Sequence, residues 1–255
     1  MRNWTIAVLP LALAMTVTAC SGADRADGDQ PAKAEAKPVV DAGPVASKGY
    51  ALSGFSEVKV TGPDDVTIRQ GDSFSISAKG PQAVLDRLEI EVDGPTLSIG
   101  RKREGFGFSS REDDDVEISI TMPRLNGVRL TGSGSIDADS IDGDAVEAVV
   151  TGSGDLKIAK LTAKRADLTV SGSGDIEIGG GTVGAGEYGI TGSGDIDADG
   201  LVAQTLEVSV TGSGNVEAQA TGAAEVSILG SGDVTLGGGA KCSSRQLGSG
   251  TVTCK

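Results

Sequence analysis

The sequence contains no histidine and very few aromatic residues, and both absences limit the kinds of active site it can form. Its 255 residues include no His, one Trp, two Tyr and four Phe. Without His there is no Ser-His-Asp triad, no imidazole acid–base pair and no imidazole metal site. Paired carboxylates can hydrolyse glycosides, but such sites usually hold the sugar on aromatic side chains, which this chain largely lacks. We therefore expect no enzyme, no catalytic residue and no cofactor.

Basic residues are also scarce relative to acidic ones. The chain has 22 Lys and Arg against 36 Asp and Glu, which gives a formal net charge of −14. Nucleic-acid binding needs clustered cations to neutralise phosphates, so nucleic acid is excluded as a partner. The same charge argues against direct contact with an anionic lipid surface and indicates a soluble, self-repelling surface.

The first 19 residues have the features of an export signal. Arg2 gives a positive start, and residues 6–17 form an apolar stretch too short for a comfortable transmembrane span. The segment ends in Val-Thr-Ala followed by Cys20, which resembles the lipobox of bacterial lipoproteins, whose cysteine is acylated and becomes the new N-terminus. Ser21 rather than Asp follows, which by analogy with enteric bacteria favours an outer-membrane anchor, facing either the periplasm or the cell surface. The alternative is an ordinary signal peptide with a chance cysteine.

The chain divides into three parts. Residues 1–19 form the signal peptide, and residues 20–49 carry the lipidated cysteine and a tether rich in Ala, Asp, Lys, Pro and Gly, a composition that predicts disorder. Over residues 50–255, short runs of alternating apolar and polar residues predict half-buried β-strands. One short helix is predicted at residues 81–88, where a proline precedes apolar residues that share one face.

A Gly-Ser-Gly motif recurs along the second half of the chain at nearly constant spacing. The residues that directly precede the motif are Thr131, Thr151, Ser171, Thr191, Thr211, Leu229 and Leu247. Successive members of this series are 20, 20, 20, 20, 18 and 18 residues apart. A fixed period of this size is typical of a solenoid, in which a coil buries its apolar face only against its neighbours. Stacking the units places like residues in columns, one of which contains Val150, Val170, Ile190, Val210 and Ile228.

The glycines of the motif have a structural reason as well. A corner repeated in every coil must turn sharply and stack on itself, and Gly reaches positive φ without strain and adds no Cβ. We therefore predict an all-β fold, a parallel β-helix or β-solenoid with about 20 residues per coil and regular repeats over residues 130–255. The sequence Gly62-Pro63-Asp64 has the same shape with Pro in place of Ser, so residues 50–129 are predicted to form less regular coils of the same body.

Three features together indicate a family. Residues 55–68, the strand over residues 116–123 and the ladder of Gly-Ser-Gly-Asp-Ile units resemble the head GIN domain family, also called the auto-transporter adhesin domain, over residues 50–255. The resemblance implies a right-handed β-helix in an exported or surface-anchored protein with an adhesive role. It implies no catalytic residue.

The three cysteines fit an exported protein. Assigning Cys20 to the lipid leaves Cys242 and Cys254, and an oxidising compartment favours a disulfide between them. Both align with inward columns of their coils, so the bond would clamp the last coil, which has no following neighbour. The alternative is two free, buried thiols.

The residue after Gly-Ser-Gly is acidic in four of the seven units: Asp155, Asp175, Asp195 and Asp233. Stacked carboxylates could recruit Ca²⁺, which makes these positions weak metal candidates. The other three units have Ser, Asn or Thr at this position, and short polar side chains of all these kinds can bond the backbone of a corner. The favoured interpretation is therefore a turn role, and no metal site is predicted.

Residues 101–115 lack strand alternation and carry charges of both signs. They place Phe106 and Phe108 between glycines, and in a chain so poor in aromatic residues two Phe on a loop could form a contact surface. The favoured alternative is a solvated insertion between coils.

Three functions from different classes remain open. The first is a cell-envelope lipoprotein, held to the membrane by its N-terminal lipid, whose solenoid presents an adhesin-like binding or scaffolding surface to an unidentified protein or polysaccharide. The second is a structural envelope component that self-associates through the open end of its solenoid. The third and least favoured is a β-helical carbohydrate-active enzyme.

Overall fold

The computed structural model describes residues 45–102 and 116–255. Within them the chain forms strands almost throughout, with one short helix. In chain order the elements are β1 Val45–Tyr50, β2 Glu57–Gly62, β3 Asp65–Gln70, β4 Ser75–Pro81, α1 Gln82–Leu85, β5 Leu88–Asp93, β6 Thr96–Arg101, β7 Glu117–Met122, β8 Gly127–Gly132, β9 Ser135–Ala138, β10 Ile141–Gly152, β11 Asp155–Ile158, β12 Leu161–Gly172, β13 Ile176–Ile178, β14 Gly181–Gly192, β15 Ile196–Gly212, β16 Val216–Ala220, β17 Ala223–Gly230, β18 Val234–Gly237, β19 Lys241–Gly248 and β20 Val252–Cys254.

The second half of the chain forms stacked coils, as the repeat predicts. Strands of successive coils pair in parallel one period apart, so Val150 of β10 lies beside Val170 of β12, which lies beside Ile190 of β14. The column continues through Val210 and Ile228, and all five side chains are buried. Inward and outward residues alternate along the strands, so every coil adds to one continuous apolar core. The predicted all-β solenoid with coils of about 20 residues is confirmed.

Each coil turns at its Gly-Ser-Gly motif, where the backbones of neighbouring coils come very close. Gly152 has a φ of 121°, a conformation that favours glycine, and a Cβ added there would overlap the carbonyl oxygen of Gly132 in the preceding coil. The N–H of Ser153 donates to the same oxygen at 2.9 Å. The corner therefore requires glycine for both conformation and space, as its spacing in the sequence indicated.

A third, short side completes each coil and explains why the period falls from 20 to 18 residues. Along it β10, β12, β14 and β15 stay in register. In the next coil Ala218 still pairs with Ala198, but the following residue, Gln219, pairs with Val202. The shorter coils have thus lost residues from this side, and the other two sides keep their register.

The first part of the body is stacked in an order that the sequence does not reveal. β2 pairs in parallel with β8, which places Gly62 beside Gly132, and pairs through its other edge with β6. β3 likewise lies between β7 and β9. The coil of β2 and β3 therefore lies between the first regular coil, which contains β8 and β9, and a coil that contains β6 and β7. The prediction of less regular coils over residues 50–129 holds for these strands.

Antiparallel strands extend the stack beyond β6 and β7, where the prediction of coils is wrong. β5 and β6 form a hairpin with Ile90 opposite Ile99, and β4 pairs with β7 and β1. The helix α1 buries Val84 and Leu85 next to β1 and β4, and it is shorter than predicted because Leu88 already begins β5. In the described part of the chain no helix is long and apolar enough to cross a bilayer.

The folded body begins earlier than the predicted boundary at Tyr50. Residues 45–49, assigned to the disordered tether, belong to β1, which pairs with β4 and places Tyr50 opposite Ile76. β1 is an edge strand with mostly exposed side chains, so it lacks the apolar alternation by which half-buried strands are recognised. Residues 1–44 lie outside the described part, so the signal peptide and the rest of the tether stay predictions.

The last coil carries polar residues at positions that are apolar in the coil before it. Ser244 and Gln246 of β19 lie beside Val226 and Ile228 of β17. All side chains of β19 are exposed, because no further strand of the described chain covers this end. A polar end surface gives no support to self-association through the end of the solenoid.

A disulfide joins Cys242 to Cys254, as predicted, and ties β19 to β20. Cys242 lies beside Ala224 and Cys254 beside Leu236, which are the inward columns assigned to them. Both cysteines are nevertheless exposed, since they lie on the last coil of the stack. The bond therefore restrains the coil that has the least packing.

Candidate binding groove

Two of the predicted features lie outside the described residues. One is Cys20, the predicted site of lipid attachment, and the other is the predicted contact loop with Phe106 and Phe108. Both stay predictions. The acidic corner positions, in contrast, lie within the regular coils and can be placed.

The acidic corner positions hydrogen-bond from one coil to the next. Asp175 Oδ1 accepts the backbone N–H of Asp195 at 2.8 Å, and Asp195 Oδ1 accepts that of Asn215 at 2.7 Å. Asp233 Oδ1 accepts the N–H of Thr251 at 2.9 Å and its hydroxyl at 2.7 Å. Each of these carboxylates bonds the corner of the following coil, which gives a structural reason for a short polar residue at this position.

The donors at the last acidic corner also change its acidity. The hydroxyl of Thr251, and after it the N–H, hold the pKa of the Asp233 carboxyl below its ordinary value. Among the described residues, no group of three or more Asp, Glu or Cys side chains is arranged to hold a metal ion. The geometry adds nothing to the Ca²⁺ hypothesis for the four acidic corners, since three of them already accept hydrogen bonds from the neighbouring coil.

A groove crosses the stack where the long strands turn. β10, β12 and β14 each leave one residue out of the ladder, at Asp144, Lys164 and Gly184. In β10, Ile141 before this residue and Val146 after it are both buried, although they are five positions apart. In a straight strand, side chains five positions apart point to opposite faces, so the strand turns between them. Because the coils stack in register, the turns align into a groove along the solenoid, with a volume of about 870 Å³.

One wall of the groove is a row of carboxylates, one from each coil. The row occupies paired positions in successive strands and all of its members are exposed: Glu147, Asp167, Glu187, Glu207 and Glu225. Neighbouring strands lie about 4.8 Å apart, so the backbone positions of the row follow one another at that spacing. We call the groove with this wall the acidic groove.

The opposite wall of the acidic groove is made largely of small side chains. Ala145, Ala185, Thr205 and Ala223 each lie two positions before the carboxylate of their strand, and Arg165 interrupts the series. Small residues here leave space between the walls, so the groove stays open. Among the described residues, six carboxylates and two cations line it.

The carboxylates near the centre of the acidic groove lack partners of opposite charge. At one end of the row Glu147 pairs with Arg129 at 2.6 Å. Within the described part of the chain, Glu187, Glu207 and Glu225 form no ion pair and no side-chain hydrogen bond. Ala185, Thr205 and Ala223 lie beside them in the second row, and Arg165 and Lys241 occupy the positions on either side of that stretch. Among the described residues, the centre of the groove is therefore a strip of carboxylates without ion pairs.

The floor of the acidic groove is thin at Gly186. A Cβ at this residue would lie 3.0 Å from Tyr188 Cε1 and 3.0 Å from Leu206 Cδ1, so the ring of Tyr188 packs directly beneath the floor. Tyr188 is fully buried, and burial raises the pKa of its hydroxyl. Among the described residues its oxygen has no hydrogen-bond partner. One large aromatic side chain thus fills the core below the groove, and a side chain at residue 186 would pack tightly against it.

Sequence reasoning missed the acidic groove, although part of its signal is present. The carboxylates of the row mostly recur with the same 20-residue period as the apolar columns, so aligning the outward positions would have shown the row. The turn that makes a groove beside it gives no comparable signal. The residue left out of the ladder is Asp in one coil, Lys in the next and Gly in the third.

The fold and its repeats match a known family. A family model described as "Putative auto-transporter adhesin, head GIN domain" matches residues 54–240. The chain belongs to the head GIN domain family. This confirms the resemblance indicated by the N-terminal strands and the Gly-Ser-Gly ladder. The head GIN family is described as adhesins, not as enzymes. No curated protein matches the chain.

Solved structures of similar fold cover most of the chain. A putative adhesin from Bacteroides fragilis has a TM-score of 0.77 at 22% sequence identity and covers 83% of this chain and 97% of its own. A putative adhesin from Parabacteroides merdae has a TM-score of 0.66 at 21% identity, covering 84% and 97%. A putative lipid binding protein from Parabacteroides distasonis has a TM-score of 0.65 at 25% identity, covering 84% and 97%. These likenesses support the fold.

Proposed function

We propose that this head GIN protein is an adhesin-like module of the bacterial cell envelope, anchored in the outer membrane by lipid on Cys20, that binds a partner in the acidic groove. The groove itself carries the proposal, because it is a continuous open channel across neighbouring coils of a closely packed body. The description of the family as adhesins supports the class of function and an envelope or surface location.

The solenoid suits this role because it fixes the walls of the groove before a partner arrives. The strands of the central coils, such as β12 and β14, are paired along both edges, so their side chains are held at a constant spacing. A site that is already ordered loses less conformational entropy when it binds. The acidic groove therefore needs no rearrangement to accept a ligand.

The partner we propose is a protein or a polysaccharide rather than a lipid headgroup. The part of the groove formed by residues 45–102 and 116–255 carries six carboxylates and two cations, and anionic headgroups would be repelled by this excess of negative charge. One relative of the same fold is described as a lipid binding protein. For this chain the charge of the groove argues for a different ligand.

Crosslinking in the native envelope with a blocked groove tests the proposal. Ala223→Trp fills the groove without changing its charge, and the control Ser227→Trp places the same side chain on the exposed outer face of the same strand, outside the groove. A photo-crosslinker at Thr205 on the groove wall should give one discrete adduct in the otherwise unaltered protein and with Ser227→Trp, and lose it with Ala223→Trp. An adduct that survives Ala223→Trp, or no discrete adduct at all, would contradict the proposal.

The lipid anchor is tested separately from the groove. Cys20→Ser removes the acylation site and should move the protein from the membrane fraction to the soluble envelope fraction. Retention of Cys20→Ser in the membrane fraction would refute the anchor. Binding in the groove does not depend on this result, because the crosslinking comparison can be repeated with the unanchored protein.

A further inference from the structure

We propose that the ligand of the acidic groove is an extended segment of a partner protein rich in lysine or arginine. This rests on the groove being the partner site proposed above, and it adds the chemical class that the groove accepts. Three independent properties of the groove support it: its charge, an unfilled hydrogen-bond acceptor at one end, and its length.

The charge of the groove selects a cation. Glu187, Glu207 and Glu225 follow one another without an ion pair in the described chain, beside the small side chains of Ala185 and Ala223. A cleft lined by charges of one sign concentrates ligands of the opposite sign and speeds their association. A cationic ligand also removes the repulsion between neighbouring carboxylates, which the fold leaves uncompensated.

A buried acceptor without a partner lies at one end of the groove. Asn126 lines the groove beside Gly127, and its Oδ1 is shielded from solvent with no hydrogen-bond donor among the described residues. Buried polar atoms are normally paired, so this oxygen is an acceptor beside the groove that the described residues leave unused. Carboxylate oxygens along the wall and an amide oxygen at the end together match a ligand that brings donors, as Lys and Arg side chains do.

The length of the groove favours a linear ligand. In the described chain, eight neighbouring strands contribute to its lining, from Glu57 and Gly127 to Lys241, which at about 4.8 Å per strand gives a length of roughly 34 Å. An extended peptide advances about 3.3 Å per residue, so about ten residues span the groove. The small residues of the second wall leave room for the peptide backbone.

The direction of the groove determines how such a peptide is held. The groove runs across the strands, so a peptide in it cannot add a strand to the sheet and must bind through its side chains. Long, flexible Lys and Arg side chains can reach carboxylates spaced about 4.8 Å apart without a fixed register. The groove should therefore accept many basic sequences and prefer longer ones.

Binding of a synthetic ten-residue oligolysine to the full-length protein tests the inference. The triple variant Glu187→Gln, Glu207→Gln, Glu225→Gln removes the unpaired row. The control Asp197→Asn, Asp199→Asn, Glu217→Gln removes the same number of charges from exposed positions outside the groove. We expect the groove variant to raise the Kd about tenfold, as three exposed charge pairs would. The control should change the Kd by less than about twofold.

Three further ligands distinguish an extended basic peptide from a small polyamine and from non-specific charge attraction. Fully acetylated oligolysine has the same length without the charge and should not bind, and a five-residue oligolysine should bind more weakly than the ten-residue one. If spermidine binds as tightly as the ten-residue peptide and loses affinity equally in the groove variant, the ligand is a small polyamine. That result would overturn the inference of an extended peptide. Equal weakening in the groove and control variants would overturn the inference in favour of non-specific attraction to an acidic protein.

The inference can fail while the proposed function stands. If oligolysine does not bind but Ala223→Trp still abolishes the envelope crosslink, the groove is a partner site for a ligand of other chemistry. If oligolysine binds in the groove but Ala223→Trp leaves the crosslink intact, the partner site in the envelope lies elsewhere. The substituted carboxylates are exposed, and matching thermal melting curves for all variants would show that the fold is retained.

Discussion

The carboxylate of Asp64 is completely buried, and the guanidinium of Arg101 covers it. Arg101 Nε lies 3.2 Å from both carboxylate oxygens, and the Arg101 side chain is itself only 19% exposed. Because Asp65 pairs with Ser135, Asp64 occupies the corner position that is glycine in the regular coils. A charged pair thus replaces the glycine corner at the point where the regular stack gives way to the N-terminal strands.

Removing the guanidinium should destabilise the fold more than removing both charges. Arg101→Met breaks the buried pair that Arg101 forms with Asp64, which costs about 3–5 kcal/mol. The double variant Asp64→Gly with Arg101→Met restores the glycine of the other corners and should recover part of this loss. Urea unfolding midpoints measure both. A double variant no more stable than Arg101→Met would show that the pair is not the reason for the loss.

A methyl group at a corner glycine should be far more costly than one on a strand. Gly172 has a φ of 129°, and its Cβ would overlap the carbonyl oxygen of Gly152, so Gly172→Ala should cost about 2–6 kcal/mol through backbone strain and overpacking. The control is Gly189→Ala, where the nearest atom to an added Cβ is Thr169 Oγ1 at 3.8 Å. It should change the stability by less than about 1 kcal/mol. Similar unfolding midpoints for the two variants would contradict the stacked corner.

Loss of the disulfide should loosen the last coil without affecting export. Cys242 and Cys254 are 12 residues apart, and closing a loop of that size stabilises a protein by about 3 kcal/mol in the chain-entropy account. Replacing both cysteines by serine should lower the melting temperature, and a reductant should lower that of the unaltered protein but not that of the double variant. Identical melting temperatures with and without reductant would argue against the clamp.

The hydroxyl of Thr251 should control the acidity of Asp233. The folded-state pKa of Asp233 lies below its ordinary value of 3.8, so its carboxylate stabilises the fold above that pH, and the contribution is lost as the pH falls through the folded-state pKa. Thr251→Val removes the strongest donor and should raise the pKa towards 3.8, as followed by NMR titration of the carboxyl carbon. Thr253→Val, an exposed threonine two residues on, is the control and should leave that pKa unchanged. An Asp233 pKa that does not rise in Thr251→Val would refute the assignment.

The regular half of the fold was predictable because one structural requirement is repeated in every coil. The column of Val150, Val170 and Ile190 recurs at the period of the chain, so one alignment identifies the core, the corners and the register. The disulfide was predictable for the same reason, since Cys242 falls in the column of Ala224. In such a stack each coil is specified by its neighbours.

The N-terminal strands and the groove were not predictable in the same way. β2 pairs with β8, about 70 residues later, through one edge and with β6 through the other. Nothing in the local sequence of Gly62 or Gly132 specifies that β2 lies between these two strands. The groove depends on turns at Asp144, Lys164 and Gly184, which share no residue type. Such features follow from the packing of whole coils, whereas alternation and period report only on single strands and single corners.

The most direct test of the acidic groove as the binding site is to map where a cationic ligand contacts the protein. Backbone amide shifts recorded during titration with ten-residue oligolysine should change first at Gly186, Thr205 and Ala223, which line the groove, and remain unchanged at Asp197 and Glu217 outside it. Shift changes spread evenly over the acidic surface, or centred on Asp197 and Glu217, would contradict the groove as the site.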